Sequence, residues 1–229
     1  MRLIFFYIMT VFGILGCQTK PAAPETIKIL DCYIRILEAE ENVLIQATMK
    51  LAPAGSASSG NAVPVEVKGG IRYQGGPMMV LPTAGLTYQK AFPGKFVAEH
   101  VFSWDDPAKG RLSFTVQMNN IPGFTFSPKI LSASKPAALT WDGAGLERGE
   151  ALTLIWENAK DNLTVPMDLY VQGQFPRVDF PAAKMKELSP GSWTVYIVRK
   201  KLVKTDVSGV AAQAVAEFYS KTVPVEIVK

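Results

Sequence analysis

The sequence is poor in the residues that most often perform catalysis or bind metal. It has one histidine, His100, and two cysteines among 229 residues. A Ser/His/Asp triad needs a histidine base beside an exposed nucleophile, and the serine-rich segment 55–60 lacks the Gly-x-Ser-x-Gly pattern. A structural zinc site needs several His or Cys ligands, and none cluster in the sequence. The sequence therefore predicts no catalytic residue, no metal site and no cofactor.

Charge is also sparse. Charged residues make up 19% of the chain, and the formal net charge of +4 is spread along it. Nucleic-acid-binding proteins concentrate basic residues on one face or in one run, so no nucleic-acid partner is predicted. The densest basic run, Arg199-Lys200-Lys201 with Lys204, is interpreted as a solvated turn that caps the last hairpin.

Carboxylates occur in three small groups. These are Glu38 with Glu40 and Glu41, Asp105 with Asp106, and Glu147 with Glu150. Glycoside hydrolysis requires two carboxyl groups opposed across a cleft, one of them with a raised pKa. All three groups fall where hairpin turns are expected, which favours exposed turn charges and leaves a hydrolase as the last alternative.

The first residues have the pattern of an export signal. Arg2 is the only charge before an apolar run over residues 3–16, which is too short to span a bilayer. The run ends in Ile14-Leu15-Gly16-Cys17 and so resembles the bacterial lipoprotein signal, in which a small residue precedes a lipidated cysteine. The resemblance implies that residues 1–16 are removed and that Cys17 carries the lipid. An ordinary secretory signal and a transmembrane anchor are the alternatives.

The residues after Cys17 form a spacer. Residues 17–25 are polar and rich in proline and alanine, a composition typical of a semi-rigid linker. Gln18 stands where an aspartate would indicate inner-membrane retention in enterobacteria, so the resemblance implies the outer membrane, on its periplasmic or surface face. With Cys17 lipidated, Cys32 has no disulfide partner and is interpreted as a small core residue.

The remaining chain has the pattern of a β protein. Residues 151–157 alternate, with Leu152, Leu154 and Trp156 on one face. Residues 210–216 could form one helical turn. Strands are predicted at residues 26–39, 43–50, 63–68, 71–74, 96–104, 111–118, 151–157, 167–172, 177–180, 192–199 and 218–228. Residues 124–130 are expected to lead into the second half, which begins with short segments around residues 131–141. Short strands with frequent Gly and Pro breaks predict an all-β fold of sandwiches.

One turn pattern occurs twice. Pro93-Gly94-Lys95-Phe96 and Pro190-Gly191-Ser192-Trp193 lie roughly 100 residues apart, the length of an immunoglobulin-type sandwich. The pattern resembles the immunoglobulin-like and fibronectin-III-like domains of bacterial surface proteins. Those domains place a tyrosine where this chain has Phe96 and Trp193, so the tyrosine's hydrogen bond to the backbone is expected to be missing. The resemblance implies two tandem sandwiches, residues 26–127 and 128–229, and one larger sandwich is the alternative.

Taken whole, the chain resembles lipoproteins of Bacteroidetes-type bacteria with a lipobox, a spacer and two immunoglobulin-like domains. The resemblance includes no motif tied to an activity and assigns no catalytic residue. It implies a non-enzymatic binding or scaffold lipoprotein of the cell envelope that contacts a glycan or a protein. A structural subunit of an envelope complex, without a ligand of its own, is the alternative from another class.

Aromatic residues are the remaining candidates for a site. The second half contains Trp141, Trp156, Tyr170, Trp193 and Tyr196. Trp156 and Trp193 alternate with polar residues and are predicted to lie in the core. Trp141 precedes a turn and Tyr196 lies on the face opposite Trp193, so both are expected to be accessible. Because aromatic rings stack on sugar rings, Trp141 and Tyr196 are the candidate ligand-binding pair.

Overall fold

The structure, a computed structural model, describes residues 26–54, 62–81, 85–169 and 175–229. The predicted signal (residues 1–16), the spacer (residues 17–25) with Cys17, and Tyr170 lie outside the described residues. Within the described part of the chain, the one helix has four residues, so no helix there is long enough to cross a membrane.

Strands make up most of the described chain. The first nine are β1 (Thr26–Leu37), β2 (Asn42–Pro53), β3 (Val63–Pro64), β4 (Ile71–Tyr73), β5 (Gly76–Pro77), β6 (Met79–Leu81), β7 (Thr87–Pro93), β8 (Glu99–Asp106) and β9 (Gly110–Gln117). The others are β10 (Phe124–Ser127), β11 (Leu131–Ser132), β12 (Ala137–Trp141), β13 (Glu150–Asn158), β14 (Leu163–Leu169), β15 (Arg177–Phe180), β16 (Gly191–Val207), β17 (Val210–Tyr219) and β18 (Val223–Val228). The short helix α1 (Ala182–Met185) follows β15.

The largest sheet joins strands from both ends of the chain. Its eleven strands, counted in the described residues, follow the path β11-β18-β16-β17-β1-β2-β7-β6, with β3, β13 and β14 attached beside it. At its centre β1 pairs antiparallel with β2 and parallel with β17, with Lys28 opposite Val210 and Leu37 opposite Tyr219. Strands from near the two chain ends are therefore neighbours in one sheet.

Two smaller sheets cover the inner face of the large sheet. One has the order β5-β4-β8-β9 and the other the order β10-β12-β15. The ring of Tyr73 in β4 lies 6.1 Å from that of Phe92 in β7, and the ring of Phe126 in β10 lies 5.3 Å from that of Trp156 in β13. Buried side chains from all three sheets form one hydrophobic cluster. Each small sheet therefore makes a sandwich-like layer with a different part of the large one.

The prediction of an all-β fold with sandwich-like sheets is confirmed. The alternation in β13 places Leu152, Leu154 and Trp156 in the core, as predicted. The helical turn considered for residues 210–216 is wrong, because those residues belong to β17. The single strand predicted at residues 218–228 is also wrong, since β17 ends at Tyr219 and β18 begins at Val223.

The predicted domain boundary between residues 127 and 128 stays a prediction. β10 (Phe124–Ser127) lies on the first side of that boundary, but it pairs with β12 on the second side. The large sheet also crosses the boundary through the pairing of β1 with β17. The two halves therefore share backbone hydrogen bonds.

The second Pro-Gly turn has no tyrosine hydroxyl, but the indole of Trp193 supplies a backbone hydrogen bond in its place. The indole Nε1–H of Trp193 donates to the carbonyl oxygen of Ser189 at 2.9 Å. Trp193 thus makes the backbone contact that a tyrosine hydroxyl makes in an immunoglobulin-type corner. At the first Pro-Gly turn, Phe96 packs edge-on against Phe218, with ring centroids 5.6 Å apart.

Candidate functional site

A cleft opens on the outer face of the large sheet, at the end of β1. Alternation along β1 buries Ile34 and Ile36 and turns Arg35 and Leu37 outward. The cleft has a volume of about 350 Å³, and a neighbouring one of about 250 Å³ shares Arg35, Leu37 and Glu40 with it. The larger cleft is lined by Arg35, Leu37, Glu38, Ala39, Glu40, Tyr196, Tyr219, Ser220 and Thr222.

Three of the lining side chains form a stack across three neighbouring strands. The guanidinium carbon of Arg35 in β1 lies 5.5 Å from the ring centroid of Tyr219 in β17. The ring of Tyr219 lies 6.3 Å from that of Tyr196 in β16, at an interplanar angle of 33°. A guanidinium over an aromatic face is attracted by the ring's negative face. We call Arg35, Tyr219 and Tyr196 the cation–tyrosine stack.

Hydrogen bonds to one carboxylate hold the stack in place. The Glu217 carboxylate accepts hydrogen bonds from the hydroxyl groups of Tyr33 at 2.7 Å and Tyr219 at 3.0 Å. It also forms an ion pair with Lys200 at 2.8 Å. Burial alone would raise the pKa of Glu217, but the hydrogen bonds from Lys200, Tyr33 and Tyr219 outweigh it and leave that pKa below its ordinary value. Burial and the Glu217 hydrogen bond raise the pKa of Tyr219 to about 12. Tyr219 therefore stays protonated and remains a donor at neutral pH.

Arg35 differs from other cations on this face. Lys50 pairs with Asp31 and Lys200 pairs with Glu217, whereas Arg35 takes part in none of the ion pairs among the described residues. Its Nε is buried and has no hydrogen-bond partner in that part of the chain. The cleft thus contains a positive charge that its own carboxylates do not neutralise by direct contact.

The two sequence-predicted aromatic residues have different positions. Tyr196 is partly exposed and lines the cleft, and burial raises the pKa of its hydroxyl. The expected exposure of Trp141 is wrong, because its side chain lies in the core at 4% exposure. β12 pairs with β10 on one side and β15 on the other, and the Trp141 indole Nε1–H donates to the Ala144 carbonyl at 2.9 Å. Trp141 and Tyr196 therefore do not form an accessible pair, and ligand binding by Tyr196 stays a prediction.

The predicted solvated turn at Arg199, Lys200, Lys201 and Lys204 is wrong, because all four residues lie within β16. β16 runs on to Val207, so Arg199 lies within the strand and is 1% exposed. It pairs with Glu150 at 2.5 Å and donates to the carbonyl oxygens of Ala144 and Gly145 at 3.1 and 2.8 Å. The expectation that Glu150 is an exposed turn charge is also wrong. Because three basic residues follow one another here, the sequence pattern did not indicate that Arg199 is on the inward face of the strand.

Three other carboxylates of the predicted turn groups, Asp105, Asp106 and Glu147, lie in ion pairs. Hydrogen bonds from Arg72 and Arg111 lower the pKa of Asp105, and the hydrogen bond from Lys28 lowers that of Asp106. The hydrogen bond from Lys201 lowers the pKa of Glu147. A glycosidase general acid needs the opposite shift, towards a higher pKa. These three carboxylates are therefore poorly suited to that role.

The lone histidine and the second cysteine are core residues. His100 is fully buried, its Nδ1 lies 2.8 Å from the Tyr73 hydroxyl, and burial lowers its pKa to about 4. Burial also raises the pKa of the Cys32 thiol. The prediction of Cys32 as a small core residue is confirmed.

No protein-family model matches the chain, and no curated protein matches it. Chains of solved structures do match, among them that of the crystal structure of murine CEACAM1b. That match covers 87% of this chain and 100% of the other at 10% sequence identity, with a TM-score of 0.25. A likeness of this size is too low to support an inference about function.

Proposed function

We propose that the protein is a non-enzymatic binding or scaffold lipoprotein of the bacterial envelope, and that it contacts a glycan or a protein through the outer-face cleft. The observation that supports the binding role is the cation–tyrosine stack of Arg35, Tyr219 and Tyr196. The hydrogen bond to Glu217 orders Tyr219 before a ligand arrives. Pre-ordered aromatic rings offer contact area with little loss of side-chain entropy on binding.

The non-enzymatic part of the proposal is supported by the state of the titratable groups. Asp105, Asp106 and Glu147 have lowered pKa values and lie in ion pairs. His100 is buried with a pKa of about 4, so its imidazole is neutral at pH 7 and has no access to a substrate.

The anchor is supported by the Ile14-Leu15-Gly16-Cys17 sequence at the end of the apolar run. Several acyl chains on one cysteine would hold the protein at a membrane surface. We expect Cys17→Ser to release an intact, folded protein from the membrane fraction. The anchor proposal fails if that variant still sediments with the envelope after high-salt washing.

The binding role is tested with the full chain purified in detergent and applied to a glycan array. We expect Tyr196→Ala to weaken any glycan signal at least tenfold, since it removes the ring at one end of the cation–tyrosine stack. Leu202→Ala is the matched control, because Leu202 is exposed on the same strand and does not line the cleft. Both variants should keep the thermal midpoint of the unaltered protein within a few degrees.

Two outcomes would contradict the binding role. An array without any signal, together with a stoichiometric partner that co-purifies equally with Tyr196→Ala, would favour the structural-subunit alternative. Turnover of a polysaccharide by the purified protein would favour the hydrolase alternative.

A further inference from the structure

We infer that the cleft binds an acidic sugar, and that Arg35 is the group that contacts the sugar's carboxylate. This inference rests on the proposed function, because it takes the cleft to be the ligand site. It adds the chemical class of the ligand and assigns different contacts to Arg35 and Tyr196.

The Nε of Arg35 is buried, so its terminal N–H groups are the donors that a ligand in the cleft can reach. A guanidinium has five N–H donors that lie in its plane, whereas stacking on a ring uses its face. Arg35 stacks on Tyr219 and forms no ion pair among the described residues. A planar fork of this kind matches a carboxylate, which can accept two parallel N–H bonds.

The nearby carboxylates of the described residues do not form an ion pair with Arg35. Glu217 already accepts from Lys200, Tyr33 and Tyr219. Glu38 and Glu40 lie at the turn after β1 and line the cleft, but neither pairs with Arg35. A half-buried cation without a partner is unfavourable, so an anionic ligand would relieve its desolvation.

The remaining lining residues favour a sugar over an acidic peptide. The ring of Tyr196 gives a flat apolar surface for the C–H face of a pyranose ring. Thr222 and Glu38 also line the cleft, and a hydroxyl group and a carboxylate can both hydrogen-bond sugar hydroxyl groups. A volume of about 350 Å³ lies at the lower end of the 300–1,000 Å³ typical of small-molecule sites, which fits one or two sugar units.

The test compares acidic glycans with their carboxyl-reduced counterparts on the full chain in detergent. Uronic-acid and sialic-acid oligosaccharides are titrated first, then the same compounds with each carboxylate reduced to an alcohol, then poly-glutamate. We expect at least one acidic oligosaccharide to bind, its reduced form to bind at least tenfold more weakly, and poly-glutamate not to compete.

Variants of Arg35 distinguish the effect of its charge on binding from any effect on folding. Arg35→Gln should weaken acidic-glycan binding at least tenfold and leave any binding of the reduced form unchanged, and Arg35→Lys should restore part of the affinity. Lys204→Gln is the control, because Lys204 is an exposed cation on the same strand as Tyr196 and does not line the cleft. The affinity of the unaltered protein should also fall as salt rises.

The outcomes distinguish this inference from the proposed function. Equal binding of acidic and reduced glycans, lost in Tyr196→Ala, would overturn the inference and leave the binding function standing. Competition by poly-glutamate would overturn the choice of a sugar. Failure of every glycan to bind would remove both the inference and the glycan-binding form of the proposed function.

Discussion

Two buried tryptophans in the second half of the chain differ in whether their indole N–H groups have a hydrogen-bond acceptor. The Trp193 Nε1–H donates to the Ser189 carbonyl, whereas the Trp156 Nε1–H is buried without a partner in the described residues. We expect Trp193→Phe to lower the free energy of unfolding by about 1 kcal/mol more than Trp156→Phe, because only the first substitution breaks a hydrogen bond. Urea denaturation of the two variants measures the difference, and equal losses would contradict the role given to the indole.

His100 should make stability depend on pH between neutrality and pH 5. Its pKa is about 4 in the folded protein and 6.5 ordinarily, so below pH 6.5 the unfolded chain binds a proton that the folded chain does not. The free energy of unfolding should therefore fall by about 2 kcal/mol between pH 7 and pH 5. Well above pH 6.5 neither the folded nor the unfolded chain binds this proton, so the contribution is constant there.

The matched control for that pH dependence is His100→Gln, which has no titrating group at this position. This variant should be less stable at pH 7 but nearly flat down to pH 5. The paired carboxylates Asp105, Asp106 and Glu147 have lowered pKa values, so their stabilisation is lost only at lower pH. An unchanged slope in His100→Gln would show that another group is responsible.

At the residue scale, local pattern predicted burial well where alternation was clean. Trp156 and Cys32 lie in such segments and are core residues. Trp141 and Arg199 could not be predicted in this way. The burial of Trp141 depends on the cluster of hydrophobic side chains that residues of all three sheets form around it. Arg199 can be buried only because Glu150 and two carbonyl groups, about 50 positions earlier in the chain, meet its guanidinium.

At the scale of elements, one ion pair holds the connection between β12 and β13. Arg199 pairs with Glu150 and donates hydrogen bonds to the carbonyl oxygens of Ala144 and Gly145. It therefore links the first half of residues 142–150 to the last residue of that segment. The connection is also tight at Gly149, whose φ is +82° and where a Cβ would lie 2.8 Å from the Leu202 carbonyl oxygen. A side chain at Gly149 would therefore clash with β16.

Removal of Glu150 should destabilise the protein strongly. Glu150→Ala leaves the buried Arg199 guanidinium without its counter-ion, and we expect a loss of about 3–5 kcal/mol in the free energy of unfolding. Arg177→Ala is the matched control, since Arg177 pairs with Asp179 on the surface at 55% and 74% exposure. Its loss should stay below about 1 kcal/mol. Urea denaturation compares the two, and similar values would contradict the importance of burial.

The predictability of each strand follows from its composition. The predicted bounds of β15 match the observed Arg177–Phe180, and the β1–β2 hairpin lies where its β-branched runs place it. β7 was missed, because its residues TYQKAFP lack a clean alternation. β17 was misread as a possible helical turn, since it contains four alanines and alanine is disfavoured in strands. Three of these alanines, Ala212, Ala214 and Ala216, are buried on the inner face of β17.

At the scale of the whole molecule, the pairing of β1 with β17 should couple the two halves. Ile34 in β1 is fully buried, and Ile34→Ala should lower the free energy of unfolding by about 2–5 kcal/mol. Because β1 bonds strands of both halves, we expect amide protection in β8 and in β13 to fall by similar amounts. Hydrogen exchange followed by mass spectrometry measures both. Unchanged protection of β13 would instead indicate two independent domains.

The shared sheet could not have been predicted from the sequence. Tyr33 and its hydrogen-bond acceptor Glu217 are 184 positions apart, and local periodicity holds no information about which distant strands pair. The same limit applies to the candidate site. Tyr196 was found from its strand alone, but Arg35 and Tyr219 become its neighbours only through the order β1-β17-β16.

The parallel β1–β17 pair also sets the order in which the molecule can be completed. β1 can form its hairpin with β2 as soon as residue 53 is available, but its other edge has no partner until β17, which begins at Val210, is also available. An unpaired central strand is an aggregation hazard, and contacts between distant residues form slowly. In a chain that emerges from its N-terminus, one edge of β1 therefore stays unpaired while more than 150 further residues follow. The central strand of the sheet is fully bonded only long after its hairpin can form.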